Sequence, residues 1–397
     1  MRKILFITPY FQRTGSELVL YNIISNLNKS KYEIGLVVTK AKGELIELLP
    51  EHIKTFIYTD YQANKQRLIE TRNRQFFYRI FRLFYKLVYP SKIFPEEIKA
   101  TYEDFFSIVN HQFNANVWYI NTVLQPFVIN IANKNKIPCI VHTHEMEQMY
   151  SLIKKEDFTN LLNIPKLIIA CSQASANVFK ISGRKDNIKI CYPGIDLKTI
   201  KPDNSKILEI RQKLEIDKSA FIWVMSGMLD NNKNPVKFVD ICHEIIRRGH
   251  NVHFIWIGGG SESGYSLFAQ KKAEFLGLRN KITWAGKLTK NYYDYLNTGD
   301  GFLLTSTYDS FPLVMIENAY LGKPIVGFNS GGIREFINNE KIGKVVKTFR
   351  TNSIADIMIN VMTNTQLYDS AIAKKRAEEF SISVQLPKWE KIIDNYI

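Results

Sequence analysis

Cysteine is scarce and unpatterned in this sequence. Its four cysteines, Cys139, Cys171, Cys191 and Cys242, contain no C-x-x-C spacing, so neither a disulfide framework nor a zinc site is indicated. Long apolar runs are also missing, and nothing reaches the roughly 18 residues that a membrane-spanning helix needs. The opening MRKILFITPY holds only the apolar run Ile4 to Ile7 before Thr8 and Pro9, so it reads as a first strand rather than a signal peptide. A cytoplasmic location is expected. No G-x-x-x-x-G-K-[ST] loop occurs, which argues against a P-loop NTPase. The single H-x-H-E run, His142 to Glu145, has no third ligand at a recognisable spacing, so no metal and no cofactor are expected. Acidic residues are in deficit, 38 against 53 Lys and Arg, giving a net charge of +15. Residues 1–195 alone carry 26 basic against 16 acidic residues. That excess suits nucleic acid, an anionic membrane surface or a phosphorylated substrate, and does not choose among them.

What is present is the rhythm of an α/β protein. At 397 residues, 45% of them apolar, the chain is long enough for two domains with a full core each. Short buried-strand runs, Ile4–Ile7, Ile34–Val38, Val117–Ile120, Cys139–Val141 and Leu167–Ala170, alternate with helical segments such as Leu18–Leu27 and Ala174–Phe179. The pattern restarts at Phe221–Met225 and Val252–Ile257. It predicts two doubly wound parallel sheets. The polar, proline-bearing run Asp196–Ser205 places the boundary near 200. The expected division is a domain over 1–200, a second over 201–380, and a terminal helical segment over 381–397.

The most informative stretch is Thr305–Ile337, TSTYDSFPLVMIENAYLGKPIVGFNSGGIREFI. It follows a short strand, Gly301–Leu304, and predicts a helix with Met315 and Ala319 on its inner side, Gly322 at its C-cap, and a strand at Ile325–Phe328. Asp309 lies in the loop and Glu317 about one turn into the helix. That spacing can aim both carboxylates into the crevice beyond the strand ends. Taken alone, the pair reads equally well as a turn acid and a first-turn helix acid. Near the N-terminus, Gly15 and Ser16 stand where a helix begins and are the phosphate-loop candidates, the alternative being that Ser16 is only a helix cap.

These residues resemble the retaining glycosyltransferases of family 4, whose GT-B fold pairs two Rossmann-like domains across a cleft, which implies that the terminal helix over 381–397 crosses back to the first domain. The family's acid-x7-acid element appears as Asp309 to Glu317, its G-x-P as Gly322-Lys323-Pro324, and its G-G-x-x-E as Gly331 to Glu335. The family's G-R-x-x-x-x-K-[GN] becomes Gly227-Met228 through Lys233-Asn234, so one arginine is absent. The resemblance implies that Lys233 clamps the donor phosphates, that Glu317 holds ribose hydroxyls, and that Asp309 holds the sugar. The amides of Phe311 and Leu313, next to Ser310 and to Pro312 (which has no N–H), would meet sugar hydroxyls. Gly227 and Asn234, the turn Gly258-Gly259, and the strand end Gly286-Lys287 would line the nucleotide. His144, with Glu145 beside it and His142 as the alternative, would face the sugar from the acceptor side.

The implied reaction moves a sugar from a nucleotide sugar, UDP-linked first of all, to a hydroxyl on a lipid-linked or oligosaccharide acceptor in cell-surface polysaccharide or glycolipid synthesis. No D-x-D pair is present, and the family needs no metal. A basic, aromatic helix face over 72–88, with Phe76, Phe77, Phe81 and Phe84 opposite Arg74, Arg79, Arg82 and Lys86, has the form of an interfacial membrane helix, or of one packed on its own domain. Membrane contact there would make the protein peripheral on the inner face of the cell membrane. A GT-B epimerase or phosphorylase would share the architecture. Nucleic-acid binding is not expected, since no nucleic-acid motif accompanies the charge.

Overall fold

The computed structural model describes residues 1–74, 83, 85, 86, 101–259 and 263–397. Among them, thirteen strands form two sheets. The first has the order β3-β2-β1-β4-β5-β6-β7, from β1 (Arg2–Tyr10), β2 (Tyr32–Ala41), β3 (Lys54–Ile57), β4 (Val117–Ile120), β5 (Cys139–Thr143), β6 (Leu167–Ala170) and β7 (Ile188–Ile190). The second has the order β10-β9-β8-β11-β12-β13, from β8 (Phe221–Ser226), β9 (Val252–Ile257), β10 (Ile282–Gly286), β11 (Gly301–Leu304), β12 (Ile325–Phe328) and β13 (Gly343–Val346). Every pairing in the second sheet is parallel, as are those joining β1 to β5 in the first. Both orders reverse direction once, between β1 and β4 and between β8 and β11. In an open parallel sheet that reversal opens a crevice at the carboxyl ends of the two strands, where ligands bind.

By the density of its contacts the chain divides into two units, 1–143 with 152–168 and 393–397, and 144–151 with 169–392. In the first, β1 and β2 are apolar because both faces of the sheet are covered, and Ile4 to Ile7 are wholly buried. The helix Gly15–Asn26 lays Val19, Leu20, Ile23 and Ile24 against this core, a spacing that keeps one side of a 3.6-residue period inward. Asp394, at the end of the helix Ile382–Asp394, pairs with Arg2 at 2.7 Å and with Lys31, and accepts the Tyr32 hydroxyl at 2.7 Å.

The second unit is built on β8 and β9, whose residues Trp223, Val224, Met225, Phe254, Ile255 and Trp256 are fully buried. The helix Pro235–Arg247 covers them. Asn234 caps it through the Lys237 amide at 3.1 Å, Pro235 occupies the first turn, where no amide partner is needed, and Phe238, Ile241, Cys242 and Ile245 form its buried stripe. Phe238 meets Phe254 and Trp256 edge-on, with ring centres 5.2 and 5.1 Å apart. Burying each such side chain contributes about 1.5–3 kcal/mol. All four cysteines are buried, and none is in a disulfide. Among the described residues no helix is long and apolar enough to cross a membrane. The basic aromatic face expected over 72–88 falls largely outside the described residues.

Candidate active site

The loops that follow β8 and β11, the two strands flanking the reversal of the second sheet, carry the residues singled out by spacing. After β8 the chain turns at Gly227, where an added Cβ would lie 3.0 Å from the Lys233 side chain, so the missing side chain lets Lys233 fold back over the strand end. Lys233 is fixed at its backbone, where its N–H donates a hydrogen bond to the Asp230 carboxylate (2.8 Å) and its carbonyl accepts from the Thr305 hydroxyl (2.7 Å). Its ammonium reaches the carboxylate of Asp309, and the side chains are only 20% and 11% exposed. Ser306, fully buried, donates a second bond to the same Asp309 oxygen at 3.2 Å. Partial desolvation strengthens this charge-assisted pair relative to one in water.

Asn234 adopts the left-handed conformation, φ 56° and ψ 61°. That geometry explains why Asn or Gly stands after the lysine, since other side chains strain there. Its amide group also donates to Thr307 (3.3 Å), and its carbonyl oxygen accepts from Tyr265 (3.2 Å).

The Asp309 backbone is pinned on the other side. Its amide donates to the Ser330 carbonyl at 2.6 Å and its own carbonyl accepts from Gly332 at 3.2 Å. Gly331, with φ 135°, permits this approach, because a Cβ there would sit 2.2 Å from the Asp309 oxygen. Ser310 donates to the His144 carbonyl at 2.6 Å. The segment 144–151 therefore joins the second unit through the same loop. Phe311 is buried beside Tyr192, Phe336 and Phe380, and Pro312 precedes the helix Leu313–Tyr320, whose N-terminus has no side-chain cap. Gly322, with φ 75°, closes that helix, its amide bonded to Ala319 at 2.9 Å.

Glu317 lies on that helix, half-buried. One carboxylate oxygen accepts from the Tyr292 hydroxyl at 2.9 Å and the other from Tyr293 at 3.3 Å. Burial raises its pKa above the usual carboxylate range, and the two tyrosine bonds partly offset this. Tyr292 also meets the Ser226 hydroxyl at 3.0 Å. Ser226 directly precedes Gly227, so one continuous path of contacts runs from Glu317 through Tyr292, Ser226 and Gly227 to Lys233 and Asp309. Lys233, Asp309 and Glu317 are thus gathered at one end of the second sheet.

The remaining expected residues either adjoin this cluster or lie apart from it. Gly258, with φ 126°, leaves room for the Gly227 carbonyl, which a Cβ would approach to 2.1 Å, and its amide bonds to Gly286 at 2.8 Å. Gly259 adjoins the Lys287 backbone, 3.4 Å from where its Cβ would be, while the Lys287 side chain is exposed. His144 follows β5 directly, and burial pushes its imidazole down to about 3, so it is neutral near pH 7. His142 is buried in the first unit, its Nδ1 2.7 Å from the Tyr119 hydroxyl. Gly15 opens its helix with nothing within 4 Å of an added Cβ. Thr14, not Ser16, is the N-cap residue, and both hydroxyls donate to the buried Glu17, Ser16 at 2.8 Å. Among the described residues no group of three His, Cys, Asp or Glu side chains is placed to hold a metal.

Ser226, Tyr292, Tyr293 and Ser306 belong to this constellation although their spacing did not mark them. The one available signal was chemical, since paired tyrosines at the start of a short helix need partners for their hydroxyls if buried.

Residues 206–378 match the family model described as Glycosyl transferases group 1. A curated relative, D-inositol 3-phosphate glycosyltransferase of Mycobacteroides abscessus, is 26% identical over 199 residues, 49% of this chain and 44% of that protein. UDP-Gal:alpha-D-GlcNAc-diphosphoundecaprenol alpha-1,3-galactosyltransferase of Escherichia coli is 24% identical over 222 residues, 53% of this chain and 54% of that protein. The chain thus spans about half the length of these curated relatives. Among solved structures, Anabaena Alr3699/HepE in complex with UDP-glucose superposes with a TM-score of 0.77 at 20% identity, covering 100% of both chains. The fold is therefore GT-B, and residues 206–378 are similar to the group 1 glycosyl transferases.

Proposed function

We propose that this protein, with its group 1 glycosyl transferase region over 206–378, is a retaining, metal-independent glycosyltransferase of family 4. It transfers a sugar from a nucleoside-diphosphate sugar, with UDP as the first candidate, to a hydroxyl of a lipid-linked or oligosaccharide acceptor in cell-surface polysaccharide or glycolipid synthesis. Such an enzyme works at the cytoplasmic face of the membrane.

The observation that carries the reading is the ion pair of Lys233 with Asp309, set at the end of β8, where Lys233 packs on Gly227 next to Ser226, whose hydroxyl leads through Tyr292 to Glu317. One cation and two acids are what an activated sugar requires. The ammonium offsets charge on the leaving diphosphate, and the carboxylates accept hydroxyl protons of ribose and sugar. When the donor arrives, Lys233 exchanges Asp309 for a phosphate oxygen, and the released carboxylate takes a sugar hydroxyl. The acceptor oxygen then bonds to the anomeric carbon on the face from which the diphosphate departs, and its proton passes to the departing phosphate oxygen. Configuration is retained without a protein nucleophile. The UDP-Gal in the name of the Escherichia coli relative and the UDP-glucose bound to the structural neighbour favour a nucleotide-sugar donor.

A thermal-shift panel of nucleotide sugars tests it. The matching donor at about 100 times its dissociation constant adds roughly 2.7 kcal/mol of stability and raises the melting temperature. NMR of the product should then show the donor's anomeric configuration. Silence across UDP-, GDP- and ADP-sugars would defeat the reading, and epimerised donor without transfer would replace it.

A further inference from the structure

Glu317 is the one acid of the constellation with both oxygens already engaged by neutral hydroxyls. The geometry of that engagement fixes its direction. A carboxylate only accepts, so Tyr292 and Tyr293 donate to it, at 2.9 and 3.3 Å. Tyr292 has a single proton and gives it to Glu317. Ser226, 3.0 Å away, must therefore donate to the Tyr292 oxygen, and the chain runs Ser226 to Tyr292 to Glu317. Its far end is anchored in β8, buried, one residue before the glycine against which Lys233 packs. Tyr292 and Tyr293 are mutually fixed edge-on, with ring centres 5.0 Å apart.

A carboxylate offers about four lone-pair positions. Two tyrosines occupy one on each oxygen, which leaves one on each oxygen for a ligand. Two acceptors side by side at the spacing of a carboxylate match two adjacent hydroxyls.

We infer that Tyr292 and Tyr293 are positioning residues that hold the Glu317 carboxylate so that its remaining lone pairs accept the vicinal diol of the donor's ribose, with Ser226 orienting Tyr292. This rests on the function proposed above and adds to it the source of ribose selectivity. The tyrosines also oppose the effect of burial, which by itself disfavours the charged carboxylate. Tyr292 stays a phenol because burial holds its pKa well above the ordinary tyrosine value.

The experiment uses the full chain and whichever of UDP, GDP or ADP gives the largest thermal shift, titrated calorimetrically against its 2′-deoxy counterpart. Tyr292→Phe keeps the ring and removes the hydroxyl. It is expected to weaken ribonucleotide binding about tenfold, the loss of one bond to a charged group, and to narrow the ribo-to-deoxy affinity ratio about threefold or more. Tyr293→Phe and Ser226→Ala shift the ratio the same way by less, and they carry the test if Tyr292→Phe does not fold. The titratable groups facing Glu317 are Tyr292 and Tyr293, so losing either raises the pH below which ribonucleotide affinity falls. An unchanged ratio and unchanged pH profile in all folded variants would overturn the inference, while wild type still discriminating ribose would leave the proposed function standing. Wild type that binds none of the three nucleotides would defeat the proposed function itself, and this inference with it.

Discussion

Lys233 has a partner before any ligand is present, and that pairing decides what its removal does. Replacing it leaves Asp309 partly buried with only the Ser306 hydroxyl as a described side-chain donor, so the variant loses the order of the Asp309 loop together with the phosphate clamp proposed for Lys233. Lys233, Asp309 and Glu317 could be proposed from the sequence because two of them sit at a fixed spacing and the third in a motif ending Lys-Asn, both read through the family resemblance. Tyr292, Tyr293 and Ser226 were not, because hydrogen bonds between residues 25 and 66 positions apart leave no periodic trace. Burial also sets the histidines. His253, 4% exposed and bonded to Thr283 at 2.8 Å, is held neutral with its pKa down to about 4, against about 6.5 when unfolded. Since the unfolded chain takes the proton first, stability is full above pH 6.5 and falls as pH drops towards 4, by at most about 1.4 kcal/mol per pH unit for this histidine. Denaturant unfolding of wild type and His253→Gln across pH 4–7 should show a flatter profile in the variant. Parallel profiles would exclude His253 as a source of the slope.

At the scale of elements, the interior strands announced themselves and three edge strands did not. Gly301–Leu304 and Ile325–Phe328 coincide with β11 and β12 because strands covered on both faces read as plain apolar runs. β3, β7 and β13, sequences KTFI, IKI and GKVV, pair on one side only and mix lysine into the run, which is how edges discourage further pairing and why they lack a core signature. Two glycines expected to meet the nucleotide differ in what the fold asks of them. Gly258 is held at φ 126° against the Gly227 carbonyl, so Gly258→Ala should cost at least about 1–3 kcal/mol and displace the turn that carries Lys233. Gly15 has ordinary helical space around it, so Gly15→Ala should leave stability unchanged or raise it by up to about 1 kcal/mol. Thermal melts of both variants check the contrast, and equal destabilisation would contradict it. Glu335, although part of a motif, acts locally, because its carboxylate takes the Gln173 and Ala174 amides at 2.7 and 3.0 Å and so caps the helix Gln173–Ile181.

For the whole molecule, the two sheets with their single reversals followed from alternating strands and helices, and the family model lies entirely in the later part of the chain. The earlier part is the more basic and lies outside that model, which is expected if the donor's diphosphate and ribose are common to many enzymes and the acceptor is not. One claim is central, that the cluster at the end of β8 grips an activated sugar. Turnover of the nucleotide sugar by wild type, Lys233→Ala and Glu317→Ala, each first shown to be folded by its melting curve, tests this most directly. Release of the nucleoside diphosphate should fall at least about tenfold in each variant, the loss of one charge-assisted contact in the transition state. Release at the wild-type rate by folded Lys233→Ala would contradict the claim.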